Sequence, residues 1–242
     1  MKVILTISGL DPSGGAGVHA DVKAARALNF HAASIITALT VQNTCHSDRV
    51  YPVDPGIVRE QIREVLEDFE PSCVKIGLVS SRELAMAIFE EIKELDCPKV
   101  LDPVITAGTG GKLGSVEAYK VLLPLMAVTT PNLSEAKQLA AAGNAEELAE
   151  KIWRNYGCSA VITGGELGGV DVVCDEGRLY RVKAEFSPVN IHGTGCVYST
   201  ALACYLGLGN TLENAVRKAR IFVLESVKKA VRVGRCFPVV NP

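Results

Sequence analysis

The chain has 242 residues, of which 48% are hydrophobic, and it carries a formal net charge of −2 at pH 7. This length and composition predict one α/β domain over residues 1–242, and the balanced charge argues against a nucleic-acid-binding surface. No apolar run approaches transmembrane length and the N-terminus lacks a secretory signal pattern, so we expect a cytoplasmic protein.

Short apolar runs alternate with helical periodicity along the whole chain. Buried strands are predicted at 3–7, 33–39, 73–76, 100–101, 127–128 and 160–162. Helices are predicted at 57–69, 84–95, 197–208 and 212–231, with Asp54 and Pro55 starting the first of them. This alternation predicts a mostly parallel sheet with helices on both faces. Segments 170–174 and 179–182 are predicted to form an antiparallel hairpin.

Polar residues and glycines gather where the predicted strands end. In open α/β sheets, ligands bind beyond the carboxyl ends of the strands. The segments at those ends are 9–11, 42–44, 77, 102–103, 130–132 and 163–165. A binding site is therefore expected along this edge of the sheet.

The glycine-rich segment His192-Gly193-Thr194-Gly195-Cys196 joins a predicted loop at 187–190 to a predicted helix. A helix start of this kind presents free backbone N–H groups and a positive dipole end, which suits a phosphate. The same field should lower the pKa of Cys196 and favour its thiolate, a potential base. The alternative interpretation is an ordinary loop followed by a cysteine that only packs.

Segment 13–17, Ser-Gly-Gly-Ala-Gly, precedes a predicted helix that carries Asp21. It contains Gly15-x-Gly17-x-x-Ala20, a form of the dinucleotide-binding fingerprint. The next strand ends at Gln42 and Asn43 rather than at an acidic residue that would hold a ribose, so the fingerprint is weak. A tight turn before a helix explains the segment about as well as a ligand contact does.

Two acidic residues follow predicted strands. Asn132 and Glu135 have the spacing of a capping box, although Glu135 could also lie beside a magnesium–phosphate assembly through water. Asp102 is a candidate second carboxylate at the phosphates, or a simple strand-end turn residue. The glycine-rich segment 106–114 could be a mobile flap or an idle loop.

Eight cysteines are present, and no two have C-x-x-C spacing, which argues against a structural zinc site. Most lie in apolar runs and are expected to be buried. Disulfides in an intracellular protein would imply an unusual host, such as a hyperthermophile, and the sequence leaves their formation open.

Taken together, the ordered motifs resemble those of hydroxymethylpyrimidine/phosphomethylpyrimidine kinases of thiamin biosynthesis, in the ribokinase-like superfamily. The matching stretches are 5–9, Asp11-Pro12-Ser13-Gly14-Gly15-Ala16-Gly17, 20–21, 36–39, Gln42-Asn43-Thr44, Lys75-Ile76-Gly77, 101–104, 130–136, 164–165 and 192–196. The resemblance implies a three-layer α/β/α fold with a mostly parallel sheet and an antiparallel edge hairpin. It also implies ATP and Mg²⁺, a pyrimidine substrate, two successive phosphorylations and a homodimer.

The resemblance also implies roles for matching residues. Cys196 would be the base, and Gly193, Thr194 and Gly195 would hold the transferred phosphoryl group. Gln42 would bind the edge of the pyrimidine, helped by backbone near Ala16 and Val41, and Gly9 and Asp21 would line the same pocket, with Asp21 near the acceptor hydroxymethyl group. Nucleotide and phosphate binding would fall to Asp102, Asn132, Glu135, Thr163 and Gly165. Asp102 and Glu135 would also form a Mg²⁺ site through water.

The chain departs from the family at Thr163, where a lysine that reaches the nucleotide phosphates is common, and at His19, where glutamine is usual. Three alternatives stay open: a pyridoxal kinase, a nicotinamide-dependent oxidoreductase using segment 15–20, and a non-catalytic pyrimidine sensor. Pyridoxal kinases usually carry Asp where this chain has Cys196, although some cysteine-bearing members phosphorylate pyridoxal.

Overall fold

The computed structural model describes residues 1–107, 110–183, 185 and 190–242. The strands in these residues are β1 (Lys2–Leu10), β2 (Phe30–Gln42), β3 (Ser47–Pro52), β4 (Cys73–Ile76), β5 (Lys99–Leu101), β6 (Val128–Thr129), β7 (Ser159–Ile162), β8 (Val170–Asp175) and β9 (Arg178–Lys183). The helices are α1 (Gly17–Ala27), α2 (Pro55–Asp68), α3 (Arg82–Ile92), α4 (Val116–Leu122), α5 (Leu133–Ala140), α6 (Ala145–Tyr156), α7 (Thr194–Gly207) and α8 (Leu212–Lys228).

The strands form one mixed sheet in the order β3-β2-β1-β4-β5-β6-β7-β8-β9. Neighbours from β2 to β7 pair in parallel, and the predicted hairpin β8–β9 adds an antiparallel edge. The α/β class is therefore confirmed. Strand β3, antiparallel to β2, was missed because its side chains are mostly exposed and show no alternating apolar pattern.

Helices cover both faces of the sheet, because successive side chains of a strand point to opposite sides. In β1, Leu5 and Ile7 pack against α2, α3 and α4, whereas Ile4 packs in the cluster that holds α7 and α8. This is the expected three-layer arrangement.

The predicted helices are all present with small shifts of their ends. Asp54 caps α2 by accepting a hydrogen bond from the N–H of Gly56 at 2.8 Å, and Pro55 is the first helical residue, as predicted. Residues 187–189 of the predicted loop before α7 and residues 108–109 of the predicted flap lie outside the described residues. No helix in the described part is both long and apolar enough to cross a bilayer.

Candidate active site

A cavity of about 640 Å³ lies where the parallel strands end, at the position where open α/β sheets bind ligands. Most of the predicted site residues line it: Gly9, Ala16, Gln42, Asp102, Asn132, Glu135, Thr163, Gly165, Gly193, Thr194, Gly195 and Cys196. Loops after β1, β2, β5, β6 and β7 thus meet the start of α7 around one space.

The start of α7 faces this cavity with no side-chain cap. Gly193 is the N-cap residue with φ 91°, a left-handed conformation that favours glycine, and Val197 is the first residue whose N–H bonds back, to the Gly193 carbonyl. A Cβ on Gly193 would lie 1.9 Å from the carbonyl oxygen of Gly15. The predicted glycine-rich turn at a helix start is confirmed, and its geometry leaves the first-turn N–H groups available to an anion.

Asp11, directly after β1, connects this turn to segment 13–17. Its carboxylate accepts hydrogen bonds from His192 Nε2 at 2.7 Å, from the Ser13 N–H and hydroxyl, and from the Ala16 N–H at 2.9 Å. The Ala16 N–H is therefore bonded to Asp11, so a substrate contact by the backbone near Ala16 would have to come from another group. Burial alone would raise the pKa of Asp11, but the bonds from His192 and Ser13 outweigh it and lower the pKa to about 2. The motifs contained both residues, but nothing local in the sequence indicated that they meet.

Replacing Asp11 with Asn is expected to lower the free energy of unfolding by about 2 kcal/mol at neutral pH. The pKa is depressed in the folded state, so this contribution is present above about pH 4 and is lost as the pH falls towards 2. Urea denaturation should therefore show a wild-type minus Asp11→Asn difference that shrinks over that window. A constant difference would contradict the assignment. The exposed Asp48 gives a matched control, Asp48→Asn, with little effect expected at any pH.

The structure places two predicted substrate-binding residues outside the cavity lining. Asp21 is fully buried in α1, where its carboxylate accepts bonds from Lys75 Nζ at 2.8 and 2.9 Å and from the Thr200 hydroxyl at 2.9 Å. The family resemblance implied a substrate contact for Asp21, but a lysine from β4 binds its carboxylate inside the protein. The side chain of Val41 is 46% exposed, because alternation along β2 turns it away from the flanking Thr40 and Gln42, which do line the cavity. The contact expected of Val41 is through its backbone and stays a prediction.

Cys196 lies in the first turn of α7, as predicted, but the prediction of a lowered thiol pKa is wrong for the free protein. Burial raises the pKa of Cys196 to about 12, and the positive charge of Lys75 offsets this only in part. Desolvation of the thiolate thus outweighs the favourable field of the helix start. The residue is a neutral thiol at pH 7.

Glu135 and Asp102 form the acidic side of the cavity. The capping box is confirmed: Asn132 Oδ1 accepts from the Glu135 N–H at 2.8 Å, and Glu135 Oε2 accepts from the Asn132 N–H at 3.0 Å. Burial, with the nearby charge of Asp102, raises the pKa of Glu135 to about 8. Burial also raises the pKa of Asp102, whose Oδ2 accepts from the Ser199 hydroxyl at 3.1 Å.

These two carboxylates do not form a metal cage. No group of three or more His, Cys, Asp or Glu side chains suited to a metal occurs within the described residues. Mg²⁺ ordinarily needs only one or two carboxylates when waters and substrate phosphates complete its shell. The donor set at Asp102 and Glu135 fits such an ion.

At the other end of the cavity, Thr163 and Gly165 follow β7. The Thr163 hydroxyl points to the Pro131 carbonyl at 3.5 Å, and the next N–H, of Gly164, donates to Asp171 Oδ1 at 2.6 Å. Arg220 of α8 contacts the same Asp171 oxygen at 3.6 Å and donates to the Gly169 carbonyl. Among the described residues, Arg220 is the only lysine or arginine that lines the cavity. Nothing in the sequence marks Arg220 as a site residue, because it lies in an ordinary amphipathic helix.

Gln42 carries the clearest unsatisfied group. Its side-chain carbonyl oxygen is buried and has no hydrogen-bond partner within the described residues. A buried acceptor without a partner costs free energy, about 1–3 kcal/mol. A ligand that donates a hydrogen bond to Gln42 would remove that cost.

A family model described as phosphomethylpyrimidine kinase matches residues 11–241. The hydroxymethylpyrimidine/phosphomethylpyrimidine kinase of Rhizobium meliloti is 38% identical over 245 residues, covering 96% of this chain and 92% of the relative. The enzyme of the same name from Aquifex aeolicus is 31% identical over 253 residues, covering 99% of both chains.

Two solved structures show the same fold. A phosphomethylpyrimidine kinase from Clostridium difficile 630 gives a TM-score of 0.81 at 33% identity, covering 94% of this chain and 100% of that one. Staphylococcus aureus pyridoxal kinase in complex with pyridoxal gives 0.88 at 27% identity, covering 100% and 93%.

Proposed function

Because this chain belongs to the phosphomethylpyrimidine kinase family, we propose that it phosphorylates 4-amino-5-hydroxymethyl-2-methylpyrimidine with ATP, then phosphorylates the monophosphate to the diphosphate, in thiamin biosynthesis. The observation that carries the proposal is a single cavity with two complementary ends. One end has the partnerless Gln42 oxygen, and the other has the uncapped start of α7.

Gln42 would bind the acceptor ring. Its buried carbonyl oxygen is an acceptor suited to an amino group on a flat heteroaromatic ring, such as the 4-amino group of the pyrimidine. A site built to accept such a bond rejects analogues that lack the donor, because the acceptor is then left unpaired. Gly9 lines the same cavity, and the lack of a side chain there lets Leu78 pack beside it, since a Cβ on Gly9 would lie 2.7 Å from the Leu78 side chain.

The first-turn N–H groups of α7 would hold the phosphoryl group in transfer. They are preorganised by the Gly193 turn, so they stabilise developing charge without rearrangement. Arg220 and the Thr163 hydroxyl would face the nucleotide phosphates, with Arg220 supplying the positive charge that a lysine at 163 gives in similar kinases. Asp102 and Glu135 would hold Mg²⁺ through water, and the ion supplies charge neutralisation between the phosphates.

The test measures ATP consumption with Mg²⁺ in separate reactions with the hydroxymethylpyrimidine, its monophosphate and pyridoxal, with products resolved by mass spectrometry. Conversion of the pyrimidine to mono- and diphosphate is the expected result. Turnover of pyridoxal alone would overturn the pyrimidine assignment and favour the alternative suggested by the pyridoxal kinase structures. Pyrimidine binding without any turnover would favour the sensor.

Cys196→Ala is expected to slow phosphorylation of the alcohol by about 10²–10⁴-fold, with much less effect on the monophosphate. The alcohol must lose a proton, whereas the monophosphate, with a second pKa of about 6, is already largely anionic. The thiol pKa of about 12 adds a pH signature. The fraction of Cys196 present as thiolate rises about tenfold per pH unit below that pKa. The rate of alcohol phosphorylation should therefore rise from pH 7 to pH 9 in the wild type but not in Cys196→Ala.

Both steps should be measured as single-turnover rates in wild type, Cys196→Ala and Cys204→Ala. Cys204 is a buried thiol on the same helix, away from the cavity lining, and serves as the control. Equal losses in the two steps for Cys196→Ala would mean that this residue acts by placement rather than as a base.

Three further expectations accompany the kinase assignment. We propose one domain over residues 1–242, supported by the continuous sheet from β3 to β9. We also propose a homodimer and a cytoplasmic location, which sedimentation analysis and cell fractionation would test.

A further inference from the structure

Residues 231–242, here called the C-terminal strap, fold back over the acceptor end of the cavity. Val231 and Val239 exchange two backbone hydrogen bonds of 3.0 and 2.9 Å, which closes the strap on itself. His192 then fixes it to the turn before α7: its N–H donates to the Pro238 carbonyl at 2.9 Å, and its carbonyl accepts from the Val240 N–H at 3.1 Å. Backbone hydrogen bonds thus join the strap to the turn that starts α7.

A second set of contacts fixes the strap to the turn between β2 and β3. Cys236 forms a disulfide with Cys45, whose Cα lies 5.0 Å away. The Phe237 N–H donates to the Thr44 carbonyl at 3.2 Å. A side chain on Gly234 would collide with Thr44, since its Cβ would lie 2.2 Å from the hydroxyl oxygen. The disulfide, the hydrogen bond and the close packing all involve Thr44 or Cys45, which follow Gln42 by two and three positions in the sequence.

Phe237 lines the cavity from this strap. Among the described residues, the other phenyl-type side chain in the lining is Tyr198, and its hydroxyl is bonded to Asp171 at the Thr163 end. The bond from its N–H to Thr44, two residues after Gln42, places Phe237 at the end of the cavity that contains Gln42. An aromatic ring offers a large apolar surface and a flat face to a heteroaromatic ligand.

We propose that Phe237 determines acceptor specificity, and that the Cys45–Cys236 disulfide positions it beside Gln42. The inference rests on the proposed function for the identity of the acceptor. Gln42 accepts a hydrogen bond from a donor on the edge of the acceptor ring, and Phe237 limits the size of the ring that fits beside Gln42. Phe237 and the disulfide lie on the Gln42 side of the strap, whereas Pro238 and Val240 bond to His192 before α7. Changes at Phe237 or at the disulfide should therefore affect the acceptor more than ATP.

The first test is Phe237→Ala. Loss of the aromatic contact made by the half-buried Phe237 should raise the KM for the pyrimidine alcohol, and its dissociation constant by calorimetry, about 10- to 100-fold. The KM for ATP should change less than about twofold, and the kcat/KM ratio should shift towards the bulkier pyridoxal. Phe237→Leu, which keeps apolar bulk, should recover part of the loss. Phe69→Ala is the matched control, because Phe69 stacks on His31 at the opposite end of β2.

The second test concerns the disulfide. A small dithiol would transfer two electrons and two protons to the Cys45–Cys236 bond, giving two thiols and a cyclic disulfide of the reagent. The reduced wild-type protein should then bind the pyrimidine acceptor more weakly, while its affinity for AMP-PCP should not change. Cys45→Ser should show the weaker binding from the start and no further response to the dithiol. Mass measurement after alkylation verifies that the reagent opened this bond.

The outcomes separate the inference from the proposed function. Unchanged acceptor binding in Phe237→Ala, with wild-type activity intact, would overturn the inference alone. Binding of pyridoxal but not pyrimidine by the wild type would overturn the proposed substrate, and Phe237 would keep its role if its variant weakened pyridoxal binding. A Cys45→Ser variant that binds acceptor like the wild type, or a failure to find the disulfide, would overturn the positioning by the disulfide.

Discussion

Lys75→Met should lose about 3–5 kcal/mol of unfolding free energy, because it leaves the Asp21 carboxylate buried without its cation. Both side chains have no exposed surface, and the Thr200 hydroxyl is the other donor to Asp21. Burial favours a neutral Lys75, but the negative charge of Asp21 and its hydrogen bonds outweigh burial and raise the pKa of the ammonium. The Lys75 ammonium therefore stays charged at neutral pH.

Urea denaturation of three variants tests this expectation. The double variant Lys75→Met/Asp21→Asn removes both charges and should recover much of the loss, because replacing a whole buried pair costs less than breaking it. Lys120→Met removes an exposed ion pair with Glu117 and should cost less than about 1 kcal/mol. If Lys75→Met were as mild as Lys120→Met, the buried pair would not carry the stability assigned to it.

Gly193→Ala should lower kcat by about 100-fold or more in both phosphorylation steps, because it displaces the backbone donors at the start of α7. Two causes act together. The residue has φ 91°, and the new Cβ would meet the Gly15 carbonyl oxygen at 1.9 Å. Since that oxygen belongs to the segment held by Asp11, the turn and segment 13–17 must move apart.

Gly209→Ala separates the two causes. Gly209 has a similar φ of 81°, but no atom lies within 4 Å of the added Cβ. It should therefore cost about 1–2 kcal/mol of stability from backbone strain and leave kcat unchanged. Stopped-flow measurement of both steps, with each variant shown to be folded by circular dichroism, gives the comparison. A Gly193→Ala enzyme with near-wild-type kcat would exclude the anion role of this turn.

The sheet could be predicted from sequence wherever a strand is buried. Runs such as Cys73–Ile76 contain almost only buried side chains, and the hairpin β8–β9 is marked by its polar turn. Strand β3 escaped prediction because it forms an exposed edge beside β2, so its pairing depends on tertiary position rather than on an apolar period.

The site was predictable to the extent that its residues follow strands or start a helix. Gln42, Asp102 and Gly193 all met at the carboxyl edge, as the topology of parallel strands requires. Their environments were not predictable in the same way. Whether Asp21 faces a ligand or Lys75, and whether the thiol of Cys196 is ionised, depends on burial and on charges from distant parts of the chain.

The bond between Asp11 and His192 joins residues 181 positions apart in the sequence. Closing so long a loop is entropically costly, and contacts of this separation form late in folding relative to local ones. During synthesis, segment 13–17 is made long before the turn that completes it. A chain shortened from its C-terminal end could thus assemble much of the sheet and still have no place for a phosphate, which makes catalysis a sensitive reporter of complete folding.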